Sequence, residues 1–114
     1  MEEEPRILDA PALRALLAER KAGRTAFALV DVREAEESAR GQIHGSLSAP
    51  LSALSGGGTL DGVPPESRVV LYCKAGVRAR TAERILRAAG YRDLDVLTGG
   101  MTAWSASSDW GVPG

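Results

Sequence analysis

The residue types most able to do chemistry cluster around the one cysteine of the chain, Cys73. It directly follows the apolar run 69–72, which predicts a strand buried on both faces. In open α/β sheets, ligands bind at the carboxyl ends of strands, where a following helix offers unpaired N–H groups and the positive end of its dipole. These groups stabilise a thiolate, and Lys74 and Arg78 add positive charge beside it. The sequence therefore indicates a candidate nucleophile at Cys73.

A second interpretation of the same cysteine stays open, because free cysteine is often a small buried hydrophobe without reactivity. The segment 73–92 has six basic residues and one acid, Glu83, but these charges could simply solvate one helix face. What favours a reactive thiol is the placement of Cys73, Gly76, Arg78 and a helix start within six residues. A structural cysteine requires no such arrangement, and titration of the thiol would separate the two interpretations.

The composition of the chain favours some classes of protein and excludes others. The 114 residues are 44% hydrophobic and have 14 basic and 15 acidic side chains, which predicts one globular domain over 1–114 and no nucleic-acid partner. One cysteine permits neither an internal disulfide nor a cysteine-based zinc site, so we expect no metal and no cofactor. The acidic start lacks signal-peptide features, and no apolar run is long enough to cross a membrane. We therefore expect a cytoplasmic protein.

The elements that must position Cys73 follow from hydrophobic periodicity. Apolar runs predict strands at 7–8, 27–32, 69–72 and 94–97. Helices are predicted after the capping residue Asp9, over 34–40, along the stripe 82–89, and through 103–104. Residues 47–51 fit a strand or a loop, and the glycine- and proline-rich stretch 55–65 predicts a connecting loop. Alternating strands and helices predict an α/β domain with a largely parallel sheet.

Four segments of the chain, taken together, resemble the single-domain rhodanese family of sulfurtransferases. They are Asp31-Val32-Arg33-Glu34 with Glu37 and Gly41-Gln42-Ile43-His44-Gly45-Ser46; Pro50-Leu51; Cys73-Lys74-Ala75-Gly76-Val77-Arg78-Ala79; and Leu97-Thr98-Gly99-Gly100-Met101-Thr102-Ala103-Trp104. Each segment alone is weakly specific, but all four occur in order and the resemblance spans roughly residues 6–112. It implies a three-layer α/β/α fold with a central, mainly parallel sheet of five strands.

The resemblance also implies a chemistry and a set of site residues. Cys73 would attack the outer sulfur of thiosulfate or a similar donor, release sulfite, and carry the sulfur as a persulfide to cyanide or a thiol. The substrate-binding loop would supply its main-chain amides, with Lys74 and Arg78 attracting the anionic donor; its residues are Lys74, Ala75, Gly76, Val77, Arg78 and Ala79. Asp31 and Arg33 would support the site from a neighbouring strand end, by pairing or by touching substrate.

Two other functions compete with that hypothesis. Ala75 stands where some thiosulfate-using members have a second cation, which favours a persulfide relay or partner-binding module that takes sulfur from a protein donor. The fold is also shared with dual-specificity phosphatases, in which the loop arginine lies one residue further from the cysteine. Four residues separate Cys73 from Arg78, a tighter loop suited to sulfur. His44 is expected to be structural, and Trp104 and Trp110 to be packing anchors.

Overall fold

The computed structural model describes residues 4–108, over which strands and helices alternate. The strands are β1 (Arg6–Leu8), β2 (Ala28–Asp31), β3 (Leu47–Ser48), β4 (Arg68–Tyr72) and β5 (Asp93–Leu97). The helices are α1 (Ala10–Lys21), α2 (Ala35–Arg40), α3 (Leu51–Gly57), α4 (Val77–Ala88) and α5 (Gly100–Ser108). The first helix begins as the sequence predicts, because the Asp9 carboxylate accepts a hydrogen bond from Ala12 N at 2.9 Å.

The five strands form one sheet in the order β1-β5-β4-β2-β3, and every neighbouring pair is parallel. In this register Leu71 at the centre of β4 lies between Val30 of β2 and Val96 of β5. All three side chains are buried, at most 2% exposed. The expectation of a mainly parallel five-stranded sheet is confirmed, and β4 delivers Cys73 to the carboxyl edge close to its middle.

Helices cover both faces of this sheet. Alternate residues of β4 divide between the faces: Val69 and Leu71 pack in one hydrophobic cluster, Val70 and Tyr72 in the other. The first cluster takes in buried residues of α3 and α4, and the second takes in residues of α1 and α5. The predicted three-layer α/β/α arrangement is therefore confirmed. Trp104 packs against the second cluster, as expected, whereas Trp110 lies outside the described residues.

The prediction of a connecting loop over 55–65 is wrong at its start. The ambiguous stretch 47–51 contains the short strand β3 and the first residue of α3, and α3 continues through Gly57. Glycine is tolerated in the last turn of a helix, and Gly58 closes α3 in the left-handed conformation, with φ of 78°. Within residues 4–108, no helix combines the length and apolarity needed to cross a membrane.

Candidate active site

Cys73 lies at the end of β4 and is only 1% exposed. Its Sγ accepts a hydrogen bond from the main-chain N–H of Gly76, with 2.9 Å between sulfur and nitrogen. The side chain belongs to the hydrophobic cluster on the α4 face of the sheet. The sulfur is thus shielded from bulk water and held by a main-chain N–H donor.

The helix that follows Cys73 begins within the six residues that the sequence predicts. Val77, Arg78 and Ala79 form the first turn of α4, so the connecting loop is only Lys74–Gly76. Gly76 is the N-cap residue, with φ of 110°, a conformation that glycine adopts without strain. No side chain among the described residues caps this end, and its first turn has no acid. The helix therefore points an uncompensated positive end at the sulfur.

The start of α5 packs directly on the cysteine loop. Met101 N donates to the carbonyl oxygen of Cys73 at 2.8 Å, and Thr102 N donates to that of Lys74 at 3.1 Å. A Cβ on Gly100 would lie 2.2 Å from the Cys73 carbonyl oxygen, so only glycine permits this approach. The resemblance included Gly99-Gly100 without a role, and paired glycines before a helix are a sequence signal of close backbone contact.

Arg78 is held by Glu37, an acid for which the sequence predicts no role. Its Nη1 and Nη2 donate to the two carboxylate oxygens of Glu37, at 2.6 and 3.0 Å. These hydrogen bonds lower the pKa of Glu37 to about 2, so the pair is charged at neutral pH. Glu37 belongs to α2, where its carboxylate also accepts from Glu34 N. The two hydrogen bonds to Glu37 fix the guanidinium of Arg78 beside the active-site loop.

The other predicted loop residues divide between surface and core. Lys74 and Ala75 are exposed, and the Val77 side chain is 76% exposed. Ala79 is fully buried and packs in the same cluster as Cys73. The structure therefore brings Lys74 and Arg78 to the loop, while the side chain of Ala79 anchors the start of α4.

Asp31 and Arg33 form a buried pair at the end of β2. Arg33 Nη2 donates to Asp31 Oδ2 at 2.7 Å and to the Gly41 carbonyl oxygen at 2.6 Å, and Ser38 Oγ also donates to Asp31. These bonds tie the strand end to α2 and the segment after it. His44, in that segment, has an exposed side chain. The described residues contain no group of three or more histidine, cysteine, aspartate or glutamate side chains placed to hold a metal ion.

Comparison with known proteins defines the class to which this fold and site belong. Residues 11–107 match the model of the Rhodanese-like domain. The chain belongs to the rhodanese-like domain family.

Individual relatives agree with this assignment. The human single-domain sulfurtransferase TSTD1 superposes with a TM-score of 0.76 and 29% identity, over 91% of this chain and 97% of TSTD1. The Saccharomyces cerevisiae protein "Thiosulfate sulfurtransferase RDL2, mitochondrial" is 30% identical over 89 residues, 68% of this chain and 60% of that protein. Its crystal structure superposes with a TM-score of 0.79 and 25% identity, over 94% of both chains.

A longer relative is the Mycobacterium tuberculosis protein named "Probable adenylyltransferase/sulfurtransferase MoeZ". It is 38% identical over 79 residues, which are 69% of this chain and 20% of MoeZ. The chain thus spans about a fifth of the length of this relative.

Proposed function

We propose that this protein is a sulfurtransferase that takes a sulfane sulfur from thiosulfate or a similar donor and passes it to cyanide or a thiol through a persulfide on Cys73. The observation that carries the proposal is the hydrogen bond from Gly76 N to Cys73 Sγ at the uncompensated start of α4. Sulfurtransferase relatives, one of them named for thiosulfate, support it. A free thiol that must stay reduced also favours the cytoplasm as its location.

The proposed first step forms the persulfide. The Cys73 thiolate attacks the outer sulfur of thiosulfate, a new S–S bond forms, and the old S–S bond breaks so that sulfite leaves with the bonding electrons. The main-chain amides of 74–79 stabilise the sulfur anion, and Lys74 and Arg78 attract the dianionic donor. The buried Asp31–Arg33 pair supports the neighbouring strand end.

The proposed second step transfers the sulfur from Cys73 to an acceptor. A cyanide or thiolate acceptor attacks the terminal sulfur, and the Cys73 thiolate leaves with the electrons of the persulfide bond. Because the chain has no second cysteine, the acceptor comes from outside.

Thiocyanate production from thiosulfate and cyanide tests this function. We expect turnover by the wild-type protein and background rates for Cys73→Ser, since a serine hydroxyl cannot carry sulfane sulfur. His44→Ala serves as the matched control and should keep wild-type turnover, because the thiolate needs no histidine base. Equal turnover by wild type and Cys73→Ser would refute the proposal.

A persulfide relay is the second candidate function. The exposed rim of the loop, Lys74, Ala75 and Val77, offers a surface that a protein donor could contact, and MoeZ combines two activities in its name. Under this hypothesis Cys73 accepts sulfur from a cysteine desulfurase and turns thiosulfate over slowly. Failure to load sulfur from a desulfurase, alongside fast thiosulfate turnover, would eliminate the relay.

A further inference from the structure

A groove beside the active-site loop has no assigned occupant in the two steps proposed above. It lies between α4 and the edge strand β1 and has a volume of about 260 Å³. Val96 lines it, and Val96 belongs to the same cluster as Cys73, so groove and sulfur share one face of the sheet. Its remaining lining is Ile7, Ala75, Gly76, Val77, Arg80, Thr98 and Gly99.

The walls of the groove are apolar but uncovered. Ile7 is 54% exposed and Val77 is 76% exposed, two of the three large hydrophobic side chains that stand out at the surface of the described residues. They flank the groove from opposite sides, one on β1 and one on α4. Exposed apolar side chains around a concave surface are typical of a ligand site.

Arg80, the cation that lines this groove, has only a weak ion pair and an incomplete set of hydrogen bonds. Two other arginines near the active-site loop are held by closely placed carboxylates, Arg33 by Asp31 at 2.7 Å and Arg78 by Glu37 at 2.6 Å. Arg80 reaches only the exposed Glu4, at 3.5 Å, and its buried Nε has no hydrogen-bond partner among residues 4–108. A long, exposed ion pair contributes little stability, so an incoming carboxylate can replace Glu4.

We propose that this groove binds the sulfur acceptor, and that the acceptor is a small thiol whose carboxylate is held by Arg80. This inference rests on the proposed function. Gly76 lines the groove and its N–H donates to Cys73 Sγ, so the groove borders the loop that holds the sulfur. Apolar walls with one cation fit a short hydrocarbon stem that ends in a carboxylate. Thiosulfate, a dianion without an apolar part, gains nothing from such walls.

The bound thiol completes the second step without any further reactant. Its thiolate attacks the terminal sulfur of the Cys73 persulfide, and a new S–S bond forms on the acceptor. The persulfide bond to Cys73 breaks, and its electrons return to the cysteine as a thiolate. Arg80 keeps its charge throughout and only positions the acceptor.

The test compares three thiols of similar size and different charge: 3-mercaptopropionate, 2-mercaptoethanol and cysteamine. Cys73 is loaded with thiosulfate, free donor is removed, and the rate of sulfur transfer to each thiol is measured in a single turnover. Dividing each rate by its wild-type value cancels the intrinsic nucleophilicity of the thiol. We expect Arg80→Gln to slow 3-mercaptopropionate about fivefold relative to 2-mercaptoethanol, the scale of a partly exposed ion pair.

Two further variants sharpen this comparison. Arg80→Glu should reverse the preference and favour cysteamine over 3-mercaptopropionate. Arg84→Gln removes the same charge one turn further along α4, outside the groove, and should leave the ratio at its wild-type value. If Arg80→Gln changes all three rates equally, or changes none, the inference is overturned.

A binding measurement separates this inference from the proposed function. In the Cys73→Ser protein, which needs no loading, NMR titration with 3-mercaptopropionate should shift the signals of Ile7, Val77 and Arg80, and Arg80→Gln should weaken the binding. Binding there without any persulfide on the wild-type protein would refute the proposed function and keep the groove as a site for carboxylate-bearing thiols. Absence of these shifts would overturn the groove assignment.

Discussion

Burial and reactivity are compatible at Cys73 because of what surrounds the sulfur. The side chain is 1% exposed and sits in an aliphatic cluster, an environment that alone disfavours a thiolate. The Gly76 amide and the start of α4 act in the opposite direction, and both act strongly because water is excluded. The site therefore depends on a few main-chain dipoles with fixed positions.

Glu37 acts through Arg78, as a positioning residue. We expect Glu37→Gln to raise the KM for thiosulfate about threefold to tenfold, because an amide can accept from only one arm of the guanidinium and the freed side chain loses entropy on binding the donor. The expected change in kcat is smaller, since the attacking sulfur keeps its own contacts. Steady-state kinetics over a range of thiosulfate concentrations measures this split.

A double-mutant cycle decides whether Glu37 and Arg78 work as one unit. Arg78→Lys keeps the charge but cannot form the two-pronged contact with Glu37. If the pair acts together, the double variant Glu37→Gln/Arg78→Lys should have a KM for thiosulfate no higher than that of the more strongly affected single variant. Independent, additive effects on KM would contradict this role for Glu37.

At the scale of elements, two helix starts meet at the cysteine loop. α4 begins just after it, and its N-cap residue Gly76 donates its N–H to the sulfur, while α5 begins across from it and donates to the carbonyl oxygens of Cys73 and Lys74. The carbonyl groups of Cys73 and Lys74 thus point to α5. The main-chain amides of the loop are therefore free to face the opposite side. The geometry of the loop depends on how closely α5 can approach.

Gly100→Ala tests this clamp, which is the contact of the start of α5 with the carbonyl oxygens of Cys73 and Lys74. The new Cβ would lie 2.2 Å from the Cys73 carbonyl oxygen and 2.7 Å from the Lys74 carbonyl group, so α5 must move away from the loop. We expect a loss of about 3 kcal/mol in unfolding free energy and at least a tenfold lower kcat/KM for sulfur transfer, as overpacking beside an active site predicts. Denaturant unfolding and thiocyanate production measure the two effects.

Gly57→Ala is the control for that substitution. Apart from its chain neighbours and the backbone of its own helix, no atom of the described residues lies within 4 Å of a Cβ built there, and the residue has no positive φ at the end of α3. We expect neutral or slightly raised stability, by up to about 1 kcal/mol, with wild-type activity. Wild-type behaviour of Gly100→Ala in both measurements would contradict the clamp.

At the scale of the whole molecule, a buried acid joins three strands. Asp95 of β5 is 0% exposed and accepts two hydrogen bonds each from Arg6 of β1 and Arg68 of β4, at 3.0 to 3.1 Å. Burial acts to raise the pKa of Asp95, but the hydrogen bonds from Arg68 and Arg6 outweigh it and hold the pKa below its ordinary value of 3.8. This network braces the edge strand that forms one wall of the groove.

The lowered pKa of Asp95 predicts how stability changes in acid. A carboxyl group whose pKa is lower in the folded state than in the unfolded state adds to the unfolding free energy. This contribution is complete at pH values above the unfolded pKa, and it is lost as the pH falls through the folded pKa. We therefore expect the unfolding free energy to fall below pH 3.8, the ordinary pKa of this group. Urea unfolding at several pH values should show a shallower fall for Asp95→Asn, which should also lose about 2 kcal/mol at neutral pH.

The exposed pair of Glu19 and Arg24 provides the comparison for Asp95. Its side chains are 45% and 66% exposed, so Glu19→Gln should change the stability by less than about 1 kcal/mol. If Asp95→Asn were as mild as Glu19→Gln and showed the wild-type acid dependence, the network would have no structural role.

What could be predicted from the sequence is what depends on neighbours along the chain. The apolar run before Cys73, the stripe of the following helix and the cap at Asp9 are local patterns, and all were placed correctly. The partners of Arg78 and Asp95 were not predicted, because they lie 27 to 89 residues away and packing of the sheet brings them together.

The most direct test of the central claim is the intact mass of the protein after incubation with thiosulfate. The wild-type protein should gain the mass of one sulfur atom and lose it again on addition of cyanide. Cys73→Ser should gain nothing under the same conditions. An unchanged wild-type mass, or an equal gain on Cys73→Ser, would contradict a persulfide at the start of α4.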